Sequence, residues 1–344
     1  MGQSDFALGR LGGLRSRLLS SGGLVDLLAR PDLLSRVERL RGSLWGGTLP
    51  APAAGRAPDL DAVEESLAEA FREEVGSVLR DLSGLRKRLF RSFLLFDDAA
   101  SLKGPVRALA RGLKPEAAAS LVAPSAGLRR GLLLDLVAAT DADAAAARLA
   151  EEKSPFAPAV AAHAAELRKP GGLLRLEVAL DRVALEAVFR HARGPGADRA
   201  VLRDLSAARV DLVNARVLLA AGGTPEAEEL YMPGGRRLGE GPYREMAALG
   251  AAPLARRLAD ELEDLVGPRE KAALAFSDPL GADHLMGHAL ARRALALARR
   301  LPLTLAVPCA FALALGEELR RVRLALRGAE LGFPPNSLLD LLEA

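Results

Sequence analysis

The apolar positions of this chain recur at helical spacing almost from end to end. Leu205, Ala208, Leu212, Ala215 and Leu219 step by three and four residues, which sets them on one stripe of a helix. Leu315, Leu319, Val322 and Leu326 do the same near the C-terminus. No stretch alternates apolar and polar residues with the β-branched and aromatic enrichment that a strand needs. Glycine and proline punctuate the periodic stretches at Trp45-Gly46-Gly47 through Pro58, Pro124-Ser125-Ala126-Gly127, Lys169-Pro170-Gly171-Gly172, Gly194-Pro195-Gly196 and Pro233-Gly234-Gly235. The stretch from Pro50 to Pro58 reads as an ordinary loop. The pattern predicts an all-α fold of many short helices.

Composition narrows this further. Aromatics supply only 4% of the 344 residues, so Leu and Ala must do the packing, as helices prefer. At roughly 150 residues per domain the length allows two or three domains. Lys and Arg total 47 against 44 Asp and Glu, a net charge of +3 with the signs interleaved. A nucleic-acid partner is not expected, because phosphate tracking concentrates its basic excess in a visible cluster. The uncharged run Leu301–Gly316 is broken by Pro302 and Pro308 and is shorter than the ~20 apolar residues of a membrane span. It reads as a buried helix entered at Pro308. The N-terminus carries no apolar run after a basic start, and Phe6 stands where a myristoylation signal needs Ser or Thr, so neither a signal peptide nor a lipid anchor is expected.

An internal repeat emerges from three markers. Asp26-Leu27, Ala29, Asp32 and Arg39-Leu40 recur in register as Asp135-Leu136, Ala138, Asp141 and Arg148-Leu149, with a looser copy from Glu245 to Arg257-Leu258. An acid, a polar residue at +3 and a base at +5 occur as Asp98, Ser101, Lys103, then Asp211, Asn214, Arg216, then Glu318, Arg321, Arg323. Pro124 and Pro233 open glycine-containing turns. All three markers repeat at about 110 residues. Not every identity obeys that period: Val78–Ser83 equals Val201–Ser206 at a different offset. The markers predict three helical units, 1–123, 124–232 and 233–344, each the size of a small domain and too long for a solenoid repeat.

Sites of chemistry are scarce. There is no phosphate loop, dinucleotide fingerprint, zincin motif or nucleophile elbow. His284 and His288 stand at i and i+4, with Asp283 beside them. They read as polar residues on a solvated helix face, or as a metal site lacking a third histidine. Cys309, the single cysteine, follows Pro308 in the uncharged run and reads as a buried, inert thiol; a reducing setting is expected. On a helix, +3 lies about 60° and +5 about 140° from the acid of the triplet, so its base points away. The triplet therefore reads as a structural device, acid and amide bonding a neighbouring loop with the base at a rim, or as a partner contact. Arg320, Arg323 and Arg327 form a strip that is either a solvated face, supported by Glu317 to Arg321 at i,i+4, or a docking edge for an acidic partner. No catalytic residue, metal or cofactor is expected.

At the triplet a family resemblance enters. The segment Asp211-Leu-Val-Asn214-Ala-Arg216 running to Gly222-Gly223, followed by Pro233-Gly234-Gly235, resembles the C subunit of bacterial and archaeal V/A-type ATPases, equivalent to eukaryotic V-ATPase subunit d. Glu177-Val-Ala-Leu-Asp181-Arg182 resembles its acidic helix start. Phe6 to Leu19 and Ser43-Leu44-Trp45-Gly46-Gly47 are similar to its opening helices, and Pro308 through Gly328, then Gly332-Phe333-Pro334-Pro335, to its last two. Ser101 stands where the family has Asn, and Phe6, Phe311 and Trp45 where it has Tyr. The resemblance implies three similar helical domains in a pseudo-threefold funnel, peripheral on the cytoplasmic side of the membrane. It also implies a non-catalytic central-stalk role joining the proteolipid rotor ring to the central shaft subunits, so that torque couples ATP to proton or sodium transport. The alternative is a soluble all-α scaffold outside any membrane complex.

Overall fold

The computed structural model describes residues 16–51 and 58–335, with positions 9, 11, 13 and 338 besides. Phe6 and residues 52–57 of the Pro50–Pro58 loop lie outside the described residues. Among the described residues the regular structure is helical, with no strand, and no helix is long and apolar enough to cross a membrane. The chain divides into two compact units, one of residues 1–84 with 291–344 and the other of residues 85–290.

In the first unit, α1 (Ser21–Ala29) and α2 (Leu33–Leu40) form a short pair, followed by a 3-10 turn, Leu44–Gly47, and the long α3 (Leu60–Asp81). Asp32 caps α2 by accepting the Ser35 N–H at 2.8 Å, and the Ser35 hydroxyl answers at the Asp32 backbone. The unit's C-terminal helix, Ala306–Glu330, packs against all three of these helices. Leu315, Leu319, Val322 and Leu326 are its buried stripe, and Pro308 sits in its first turn, where a missing N–H costs nothing. The Cys309 thiol is buried there. Trp45 is fully buried within the 3-10 turn.

The second unit runs from α4 (Gly84–Arg111) through α5 (Pro115–Ala118) to the short pair α6 (Arg130–Val137) and α7 (Ala142–Glu151). Asp141 caps α7 as Asp32 caps α2, accepting the Ala144 N–H at 2.8 Å. After α8 (Ala157–His163) come two long antiparallel helices, α9 (Gly172–Ala192) and α10 (Ala197–Ala221), packed on each other. Leu205, Ala208, Leu212 and Ala215 are buried on α10, while Leu219 is half-buried. Then follow α11 (Pro225–Glu229), the short pair α12 (Glu240–Ala247) and α13 (Ala251–Glu261), α14 (Glu263–Val266), α15 (Arg269–Phe276) and α16 (Pro279–Arg300), of which residues 291–300 count with the first unit. The last helix of the chain, Ala306–Glu330, is α17. In order, a short pair followed by two long helices occurs three times: α1–α2 with α3–α4, α6–α7 with α9–α10, and α12–α13 with α16–α17.

Candidate functional site

Each acid of the triplet lies on the second long helix of such a set, and each is buried. Asp211 on α10 is 2% exposed. Its carboxylate accepts the backbone N–H groups of Arg236 (3.1 Å), Arg237 (3.1 Å) and Leu238 (2.9 Å). One turn on, Asn214 donates Nδ2–H to the Met232 carbonyl at 2.8 Å and accepts the Met232 N–H at 2.9 Å. The loop from Met232 to Leu238 is thereby stitched to the middle of a helix at both ends. Gly235 sits hard against the Asp211 carboxylate, where a Cβ would overlap Oδ1.

The first copy repeats the device with shorter side chains. Asp98 on α4 accepts from the Ser125 hydroxyl (2.5 Å) and the Gly127 N–H (2.9 Å), while Ser101 donates to the Pro124 carbonyl at 2.7 Å. Gly127, like Gly235, has no room for a Cβ beside its acid. The adjoining Asp97 accepts the Ala126 N–H at 2.7 Å. In the third copy, Glu318 on α17 accepts the Leu19 N–H (2.8 Å) and the Trp45 indole N–H (2.7 Å). Arg321 departs from the pattern and pairs with Glu317 at 3.0 Å instead of holding a loop.

Burial pushes the carboxyl pKa up in Asp98, Asp211 and Glu318, and the N–H and hydroxyl donors pull part of that back. Asp97 rises to about 7, because burial is compounded by Asp98 next to it; the Ala126 N–H and Arg209 oppose the rise. The donors act on oxygens that already face backbone. These carboxylates are anchors for loops.

The bases at +5 leave their own helix face and reach across to another helix. Lys103 binds Asp181 on α9 at 2.5 Å, with both side chains under 5% exposed. Arg216 binds Asp283 on α16 at 2.6 Å, nearer the surface. Arg323 binds Glu64 on α3 at 3.1 Å, and Arg327 completes that site at 2.7 Å from the other oxygen. Every accepting acid stands on the first long helix of a set. The first base reaches the second set, the second reaches the third, and the third reaches the first. Burial raises the Glu64 pKa, but its two arginines outweigh that and hold it below the ordinary value. Lys103 is pulled down by burial against the opposing pull of Asp181. Beside this pair, Arg107 grips Glu177 with two N–H groups at 2.6 and 2.9 Å.

Two expectations of the sequence change here. In the strip Arg320, Arg323 and Arg327, the last two are committed to Glu64, whose side chain is fully buried, and Arg320 pairs with Glu317 at 2.8 Å. His284 is not on a solvated face: it is 4% exposed, with its ring 4.7 Å from that of His288 in an edge-on stack, while the neighbouring Asp283 is bound to Arg216. Sequence reading missed Glu64 and Asp283 as partners of the bases. For Glu64 the signal is an acid on the apolar face of an amphipathic helix, which marks a buried ion pair; the exposed Asp283 carries no such signal.

Among curated proteins none matches the chain by sequence. The family model described as ATP synthase (C/AC39) subunit matches residues 7–341, nearly the full length and all three copies of the acid device. The chain belongs to the C/AC39 family of subunits of V/A-type ATP synthases.

Proposed function

We propose that this subunit is a non-catalytic part of the central stalk, peripheral on the cytoplasmic face of the membrane. There it links the proteolipid rotor ring to the central shaft and carries torque between them. The three-unit organisation, 1–123, 124–232 and 233–344, belongs to the same proposal. The single observation that carries it is the threefold recurrence of an acid-anchored loop together with a base that reaches to the next set of helices. A torque-bearing part must resist shear without doing chemistry. Buried carboxylates with two or three donors each, set in a close-packed Leu and Ala interior, supply that stiffness.

The test is recovery of the tagged chain from native membranes in mild detergent. Co-purification of a ring proteolipid and shaft subunits is expected. Recovery only as a free chain overturns the stalk reading and favours a soluble scaffold. Proton or sodium pumping by the recovered complex should stop when the subunit is removed and return when it is added back.

A further inference from the structure

Within the first unit, the end of α16 and the turn leading into α17 combine exposed apolar side chains with positive charge. From Ala291 to Gly316 the chain carries no Asp or Glu and four arginines, Arg292, Arg293, Arg299 and Arg300. Arg299, Arg300, Leu301, Pro302 and Leu303 are exposed in succession, Leu301 to 38% and Leu303 to 59%. Among the described residues neither Arg299 nor Arg300 pairs with a carboxylate. Leu274, exposed on α15, stands otherwise, with Glu270, Lys271 and Asp278 of both signs near it in the sequence.

As the last residues of α16, the two arginines meet the negative pole of the helix. That accounts for cations at this place but not for the leucines left in water beside them. The backbone of the turn is also suited to a medium that hydrates poorly. The Leu301 N–H donates to the Leu297 carbonyl at 2.8 Å. The Leu301 carbonyl accepts both the N–H (3.2 Å) and the hydroxyl (2.8 Å) of Thr304. Pro302 has no N–H to satisfy.

We propose that this turn docks on an anionic lipid surface, with Leu301 and Leu303 entering the headgroup boundary and Arg299 and Arg300 meeting the phosphates. A lipid surface is fluid and closes around two leucines without a preformed socket, and its negative charge is what the acid-free segment lacks. A turn whose backbone groups are already bonded enters that boundary at little cost, and the arginine stems reach back to the phosphates. The contact lies on the membrane, since no helix among the described residues is long and apolar enough to cross it. It draws on the stalk reading for a membrane close at hand, but it needs no rotor ring.

The experiment floats the full chain with protein-free phosphatidylcholine vesicles, with and without phosphatidylglycerol, so its failure leaves co-purification with the ring untouched. Binding to the anionic vesicles is expected, weakening as salt is raised. Arg299→Gln with Arg300→Gln should lower partitioning roughly thirtyfold, about fivefold for each cation at the surface. Leu301→Ser with Leu303→Ser should lower it roughly tenfold. Leu274→Ser, an exposed leucine elsewhere, should leave it unaltered. Leu303→Trp should bind as the parent does and shift its emission to the blue on the anionic vesicles. The proposal is overturned if the chain does not float, if neutral vesicles take it up equally, or if Leu274→Ser weakens binding as much as the turn variants. An unshifted Trp emission overturns it too, as does flotation only when the vesicles carry a ring proteolipid, which would make the partner a protein.

Discussion

The indole N–H of Trp45 donates to the Glu318 carboxylate at 2.7 Å, joining a 3-10 turn near the N-terminus to the middle of the last long helix, 273 positions away. Trp45 is fully buried and Glu318 nearly so. A Trp45→Phe change keeps most of the apolar volume and removes the donor, which should cost about 2 kcal/mol because a buried carboxylate loses a charge-assisted bond. Burial already raises the Glu318 pKa, and without the indole it rises further. The loss is therefore larger at pH 8, where the carboxylate must ionise, than at pH 5. Urea unfolding at both pH values measures it, and an equal loss at the two would show that the bond does not bear on ionisation.

The three inter-helix ion pairs differ in burial, so their energetics should be graded. Lys103 and Asp181 are both under 5% exposed, and Asp181 Oδ1 is buried without a hydrogen-bond partner. Removing one member, as in Asp181→Asn, strands the other and should cost about 3–5 kcal/mol; replacing both with Met and Leu should recover most of it. Arg216 and Asp283 stand largely in solvent, and their cycle should return no more than about 1 kcal/mol. Double-mutant cycles by chemical denaturation decide between this grading and three equal pairs.

Gly127 and Gly235 hold equivalent places, each packed so closely on its acid that a Cβ would strike the carboxylate. Gly235→Ala must either push Asp211 off three backbone N–H groups or lift the loop away. We expect a loss of about 2–3 kcal/mol, from overpacking together with unmade hydrogen bonds. Pairing it with Asp211→Ala should then cost little more than Asp211→Ala alone, because both changes break one device. Additive losses, read by thermal unfolding, would disprove that coupling.

Much of this was legible before any coordinates. Helical periodicity placed the buried stripes of α10 and α17, and the +3 and +5 spacing showed that acid and base could not meet on one helix. Partners were not legible. Lys103 finds Asp181 78 positions on and Arg323 finds Glu64 259 positions back, and no local pattern encodes pairings at such separations. Gly46 and Gly47 signal a turn and do form one, while burial of the Trp45 indole is set by tertiary packing that no local pattern encodes. His284 was read as solvated from polarity alone, whereas α16 turns that face inward.

Asp97 offers the clearest dependence on pH. Its carboxyl is raised from 3.8 to about 7 by burial and by Asp98 beside it. Between those values the folded chain holds a proton that the unfolded chain has released. Stability contributed by this group is therefore greatest below pH 4 and declines as pH climbs to about 7, beyond which the full cost is present. Asp97→Asn keeps an oxygen to accept the Ala126 N–H but cannot ionise. The variant should be more stable than the parent by about 1–2 kcal/mol at pH 8, less than full linkage allows because the side chain keeps some contact with water. At pH 4 the two should match. Denaturation midpoints collected across pH 4 to 8 test the sign directly: a variant that loses stability at pH 8 would mean that Asp97 works there as a charged partner of Arg209, and that the ion pair outweighs burial.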